Sequence, residues 1–184
     1  MKALRLCLVF TVLCGLIYPL AATGVAQVIF PSQANGSLIK KDNQVLGSKW
    51  IGQNFASEKF FHGRVSSIKN DASASGSKNL APSNPELKKR VVASIARLEK
   101  ENPTMQRTNI PADLVTNSGS GLDPDISVTS AELQVARIAE ANNLKPDAVQ
   151  KLVADNTTPR SLGLFGESRV NVLELNLALE KLLD

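Results

Sequence analysis

His62 is the one histidine in the chain, and it stands in Phe60-Phe61-His62-Gly63-Arg64. Nucleophilic catalysis would need it aligned with a serine and a carboxylate. Serines are plentiful, but no Gly-x-Ser-x-Gly elbow is present. A positioned structural or interface histidine is therefore the plainer reading, and a membrane-tethered hydrolase built on His62 is its rival. The usual zinc sets draw on several Cys and His ligands, whereas here both cysteines, Cys7 and Cys14, lie in an apolar run. Asp123 and Asp125 flank Pro124, which reads as a turn and lacks the spacing of a calcium loop. Ser118-Gly119-Ser120-Gly121 could aim backbone N–H groups at an anion. It lacks the downstream Gly-Lys-Ser/Thr of a phosphate loop, so it reads as a tight packing loop. Gly163 and Gly166, around Leu164-Phe165 and bracketed by Arg160 and Arg169, suit a turn or a loop reaching a neighbouring subunit.

These residues must be positioned by a chain of 184 residues, about one domain's worth. Its formal charge is +4. Without Lys2 and Arg5, the 21 basic residues become 19 against 17 acidic ones. The remainder is nearly balanced, and no basic stripe interleaved with aromatics points to nucleic acid. From Leu6 to Phe30 no residue is charged. About 20 apolar residues cross a bilayer core, so this run predicts one transmembrane helix, with Pro19 as a kink. Lys2 and Arg5 favour a cytoplasmic N-terminus, leaving the rest outside the cytoplasm. The alternative is a signal peptide cut after Ala26, releasing a secreted or periplasmic binding module. The length of the run, continuing through Val28, Ile29 and Phe30, favours the retained anchor.

Residues 31–42 look like an exit segment and 43–68 like short strands and turns, while 69–83, rich in Ser, Ala, Asn and Gly, form a loop. A helix is predicted from Pro85, capped by Ser83 or Asn84, to about Asn102-Pro103, with Leu87, Val91, Ile95 and Leu98 inward. After an irregular 103–128, a second helix is expected from Thr129, boxed with Glu132, to Asn142. A third follows Pro146, Asn156–Gly166 is loop, and 171–183 is a helix capped by Asn171 and apolar on most sides. The expected fold class is α+β: a single N-terminal transmembrane helix followed by one small mixed α/β extracytoplasmic domain. Its parts are a cytoplasmic 1–5, a span at 6–30, an exit segment at 31–42 and a periplasmic domain at 43–184.

Several segments, in order, resemble the C subunit of the Kdp-type potassium-transporting P-type ATPases. They are Gly47-Ser48-Lys49-Trp50-Ile51-Gly52-Gln53-Asn54-Phe55, Phe60-Phe61-His62-Gly63-Arg64 and Ser118-Gly119-Ser120-Gly121-Leu122-Asp123-Pro124-Asp125-Ile126-Ser127. Gln134, Arg137, Ile138 and Ala139 continue the pattern, and Gly166 to Asn176 closes it. Val65, Val128 and Ser168 stand where that family often has proline. The resemblance implies a non-catalytic subunit of a bacterial inner-membrane complex. Its partners would be a channel-like potassium-binding subunit, a P-type ATP-hydrolysing subunit and a small single-span subunit, within membrane lipid. Potassium and ATP–Mg would be handled by those partners, with no cofactor held by this chain. The implied roles are assembly, support of ATP affinity, and gating of potassium entry. Direct nucleotide binding by the outer domain conflicts with a topology that leaves ATP on the opposite side. Gln53, His62, Arg64, Gly119, Gly121, Asp123 and Asn171 are the expected interface or loop-shaping residues.

Overall fold

The computed structural model describes residues 1–41, 43–103 and 105–183. It divides into two compact units, 1–48 and 49–184.

The first unit is dominated by one apolar helix over Lys2–Ile29, with mean hydropathy 2.1 and none of it buried against protein. Its 28 residues reach about 42 Å at ~1.5 Å per residue, against ~30 Å of hydrocarbon. The helix starts before the expected Leu6 and stops at Ile29, because Phe30 leaves helical geometry ahead of Pro31. It consists of α1 (Lys2–Val12), a π-turn at Leu13–Ile17 and α2 (Tyr18–Ile29). The π-turn sits where Pro19 has no N–H to give, and the Tyr18 N–H bonds back to Leu13. This is how a proline is accommodated in a spanning helix. The exit segment holds a single turn, α3 (Pro31–Ala34), and then pairs β1 (Leu38–Lys41) with β2 (Gln44–Ser48) as an antiparallel hairpin with a bulge at Ile39/Lys40.

The second unit carries the other elements. Helix α4 (Pro85–Glu101) is capped by Asn84, whose side chain accepts from the Glu86 N–H, and it ends at Asn102. The short α5 (Ala112–Val115) packs with it through Leu98, Leu114 and Val115, backed by Val91 and Ile95. The main core lies between a small antiparallel sheet and helices α6 to α9. The sheet has the order β3 (Asp125–Ser127), β5 (Arg169–Asn171), β4 (Thr157–Thr158). The helices are α6 (Val128–Glu132), α7 (Val135–Asn142), α8 (Pro146–Asp155) and α9 (Val172–Leu183). Phe61, Ile126, Ile138, Val149, Leu175 and Leu179 are its main buried members. As expected, α9 is the most enclosed helix, and the Asn171 side chain accepts from the Glu174 N–H at its start.

Four local expectations are corrected. Asn156–Gly166, expected to be loop, supplies β4 at Thr157–Thr158, which pairs with β5. The helix expected from Thr129 starts at Val128, because Ser127, leaving β3, is the cap and accepts from the Ser130 N–H at 3.1 Å. That helix is also broken at Leu133–Gln134, where the Gln134 N–H turns back to Ala131. Among the described residues, 49–83 hold no strand beyond one bridge, Val65 to Asn117. This stretch lacks the sustained alternation that lets a strand bury one face.

The 66–76 segment docks instead on the loop around Ser118–Gly121. The Gly76 N–H donates to the Ser120 carbonyl at 2.7 Å, and the Ser66 hydroxyl donates to the Gly121 carbonyl at 2.6 Å. Gly121 has φ +71°, and a Cβ there would stand 2.7 Å from both the Gly76 carbonyl oxygen and Ile68 Cγ1. Gly119 faces open space. Gly121→Ala should therefore cost at least ~1–2 kcal/mol from the left-handed backbone alone. Gly119→Ala should stay within about 0.5 kcal/mol of the parent. Urea unfolding followed by the fluorescence of Trp50 measures both.

Candidate functional site

Phe60 to Arg64 has no strand partner, yet Phe61 and His62 are buried. Buried backbone groups need hydrogen-bond partners, and here side chains supply them. Asn176 of α9 works at Phe61: its carbonyl oxygen accepts from the Phe61 N–H at 2.8 Å, and its amide donates to the Phe61 carbonyl at 3.0 Å. Gln134, at the break before α7, does the same at His62, with distances of 2.8 and 3.1 Å. Two buried amides thus imitate a neighbouring strand, and the inward turn of Gln134 coincides with the break between α6 and α7.

Arg137 of α7 completes the clamp. Its guanidinium donates to Gln134 Oε1 at 2.7 Å, Asn102 Oδ1 at 3.2 Å and the Phe60 carbonyl at 3.0 Å, and also to the Glu58 carbonyl. Burial draws its pKa below the ordinary value, while the charges of Glu101 and Glu58 oppose this. A buried cation is tolerated when its donors are used this fully.

His62 lies beside this clamp. Its Nδ1 is 3.2 Å from Glu101 Oε2 and its Nε2 is 3.0 Å from the Ser57 carbonyl oxygen. Neither described contact of the ring is to a hydroxyl. Burial lowers the His62 pKa, and the Arg137 charge lowers it further, outweighing the raising effect of Ser57 and Glu101. Arg64, two residues on, donates to Asp123 Oδ2 at 2.8 Å. Asp123 Oδ1 meanwhile accepts from the Asp125 N–H at 3.0 Å, closing the Asp-Pro-Asp turn.

Of the expected site residues, the structure brings His62 and Arg64 onto one clamped segment and joins Arg64 to Asp123. Gly121 belongs to the adjoining loop. Gln53 lines a groove shared with His62 and Arg64. Asn171 stands apart from that groove: its amide donates to the Lys49 carbonyl at 2.8 Å, beside a Lys49–Glu174 ion pair of 2.9 Å. Nothing in the structure requires a glycine at 119. Gln134, Arg137, Asn176 and Asn102 were not among the expected site residues. Gln134, Arg137 and Asn176 nevertheless lie in the segments that carry the family resemblance, and Asn176 is also a polar side chain on an apolar helical stripe, between Leu175 and Leu179. Among the described residues no three His, Cys, Asp or Glu side chains converge as a metal site would need.

The groove has a volume of about 600 Å³. One wall is α4, through Arg90, Ser94, Arg97 and Glu101, and the other is the irregular stretch from Gln53 to Lys69.

Residues 1–181 match a family model described as "KdpC: K+-transporting ATPase, c chain". The chain belongs to the KdpC family. The potassium-transporting ATPase KdpC subunit of Bacillus cereus is 57% identical over 181 residues, covering 98% of this chain and 94% of that protein. The protein of the same name from Bacillus anthracis is 55% identical over the same span, with the same coverage. The KdpC match begins at residue 1 and so includes the apolar helix. Release of a binding module after Ala26 gains no support from it.

Two outcomes follow from the clamp. Arg137→Met leaves Asn102 Oδ1 and the Phe60 carbonyl without this donor, and Asn176→Leu strands the Phe61 N–H and carbonyl. Each should lower unfolding free energy by roughly 2–4 kcal/mol, read by urea titration. The second concerns pH. A histidine pKa lowered by folding means that the unfolded chain takes up the proton first as pH falls. The stability tied to neutral His62 is thus present above the unfolded value near 6.5 and is lost as pH falls from there toward the folded pKa. Unfolding midpoints at pH 7.5, 6.0 and 5.0 should decline, and His62→Gln should flatten the decline. An equal slope in both proteins would contradict this assignment.

Proposed function

We propose that this chain is a non-catalytic accessory subunit of an ATP-driven potassium uptake complex. Its helix packs among the membrane spans of a channel-like partner, and residues 49–184 sit outside the cytoplasm at that partner's entrance. The observation that carries the reading is the family match over residues 1–181, which takes in a helix of 28 residues with the length and hydropathy of a span. Lys2 and Arg5 support an N-terminus in the cytoplasm, by the excess of basic residues on that side of membrane proteins.

The role follows from what the outer unit offers. It holds its loops rigidly through side-chain amides and ion pairs, so it presents a fixed surface to partners. Its one histidine is engaged by a carboxylate and a carbonyl. Potassium selection and ATP–Mg chemistry then belong to the channel-like and ATP-hydrolysing subunits, with a small single-span subunit completing the set. Stabilising the assembled complex is the task such a chain can perform from outside the cytoplasm. Any effect on ATP affinity would have to travel through an element with two arrangements biased from both sides.

The test replaces 6–30 with a cleavable export signal and asks whether residues 31–184 still co-purify with the partner subunits. Loss of co-purification and of growth at limiting potassium is expected. Full assembly and transport without the span would refute the reading. For topology, a cysteine placed at the exposed Lys88 in a chain lacking Cys7 and Cys14 should react with an impermeant maleimide in intact cells, and labelling only after lysis would overturn the orientation.

A further inference from the structure

The groove between α4 and the Gln53–Lys69 stretch carries more positive charge than the fold uses. Arg64, Lys69, Arg90 and Arg97 line it, against the single carboxylate of Glu101. Glu101 is already engaged by His62 at 3.2 Å and by Arg97 at 3.7 Å. Arg64 is paired with Asp123 at 2.8 Å. Among the described residues, Lys69 and Arg90 have no carboxylate within ion-pair distance. The Nε–H groups of Arg64 and Arg90 are also shut off from water with no acceptor. A buried N–H left unpaired is costly, so both guanidinium groups keep unused donor capacity beside the groove.

The spacing selects the acceptor's shape. Arg90, Ser94, Arg97 and Glu101 recur at helical intervals, so they form one stripe along α4 facing the groove. Seven residues of helix separate Arg90 from Arg97 by about 10 Å at ~1.5 Å per residue. A single compact anion does not bridge that distance. A peptide in the extended polyproline II form has three residues per turn and advances ~3.1 Å per residue, so carboxylates three residues apart lie on one face about 9 Å apart and match the two guanidinium groups, each of which favours planar two-oxygen acceptors.

We propose that this groove is a docking site for an extended acidic segment of a partner subunit, read by Arg90 and Arg97 on one wall and Arg64 and Lys69 on the other. The identity of the partner rests on the proposed function; the groove's taste for spaced carboxylates does not.

The test has two arms. In the first, the purified full-length chain in detergent is titrated into a fluorescein-labelled peptide with glutamate at every third position and Gly and Ser between. Saturable, salt-sensitive binding is expected, weakened at least tenfold in Arg90→Ala/Arg97→Ala and unchanged in Lys88→Ala/Lys89→Ala, which lies off the groove. Equal binding by the groove variant, no saturable binding, or displacement of the peptide by equimolar inorganic phosphate or ATP would each overturn the carboxylate reading. In the second arm, Arg90→Gln/Arg97→Gln is expressed with the other subunits of the complex. Co-purification should fall at least tenfold while the variant's unfolding midpoint stays at the parent's. Undiminished co-purification would overturn the assignment of the segment to a subunit of the complex. Because the span is intact in this variant, the result is separable from failure of the anchor.

Discussion

The unit formed by residues 49–184 depends on one constraint: among the described residues, the buried backbone of Phe60 to His62 has no strand beside it. In water these groups would be solvated, and in a sheet they would be laddered. Here Asn176, Gln134 and Arg137 provide the partners from three points on the helices. The arrangement couples distant parts of the chain. Arg137 also grips Asn102 at the end of α4, so the position of α4 relative to the main core is set by the same cation. Both walls of the groove are therefore held by one polar cluster, and an apolar replacement inside it would strand backbone groups and free the walls together.

The cluster's position also explains why His62 is better read as a component of the fold than as a base. Burial and Arg137 both act against its charged form, while its two ring nitrogens are occupied by Glu101 and Ser57. The carboxylate that touches it also lies 3.7 Å from Arg97, one turn earlier on α4.

Much of the helical framework was legible in the sequence because its signals are local. Asn84 before Pro85 and Asn171 before Glu174 cap α4 and α9 as their spacing suggests. The loop nature of 69–83 follows from its composition. Gly121, embedded in Ser-Gly-Ser-Gly, has the left-handed backbone and close approach expected of a loop-shaping glycine, whereas Gly119 beside it has neither. Ser127 displaced Thr129 as a cap because the strand β3, which ends there, was not visible in three residues. The amide clamps were illegible for a stronger reason. Their partners are 72 and 115 residues apart, and no local pattern reports a side chain that replaces a strand. The family match and the resemblance in ordered segments carry the identification, because no single chemistry-bearing motif in the chain is specific.

The Lys2–Ile29 helix buries nothing against protein in this chain and has the length and hydropathy of a membrane span. The second unit reaches stability through a small core reinforced by buried polar bonds.

Hydrogen exchange at the Phe61 and His62 amides of the full-length chain is the most direct test of the clamp. If Asn176 and Gln134 hold these groups, both amides exchange as slowly as the core amides of α9, and Asn176→Leu and Gln134→Leu each speed exchange at the amide they serve. Exchange of Phe61 and His62 at the rate of an open loop in the unaltered chain would contradict the account.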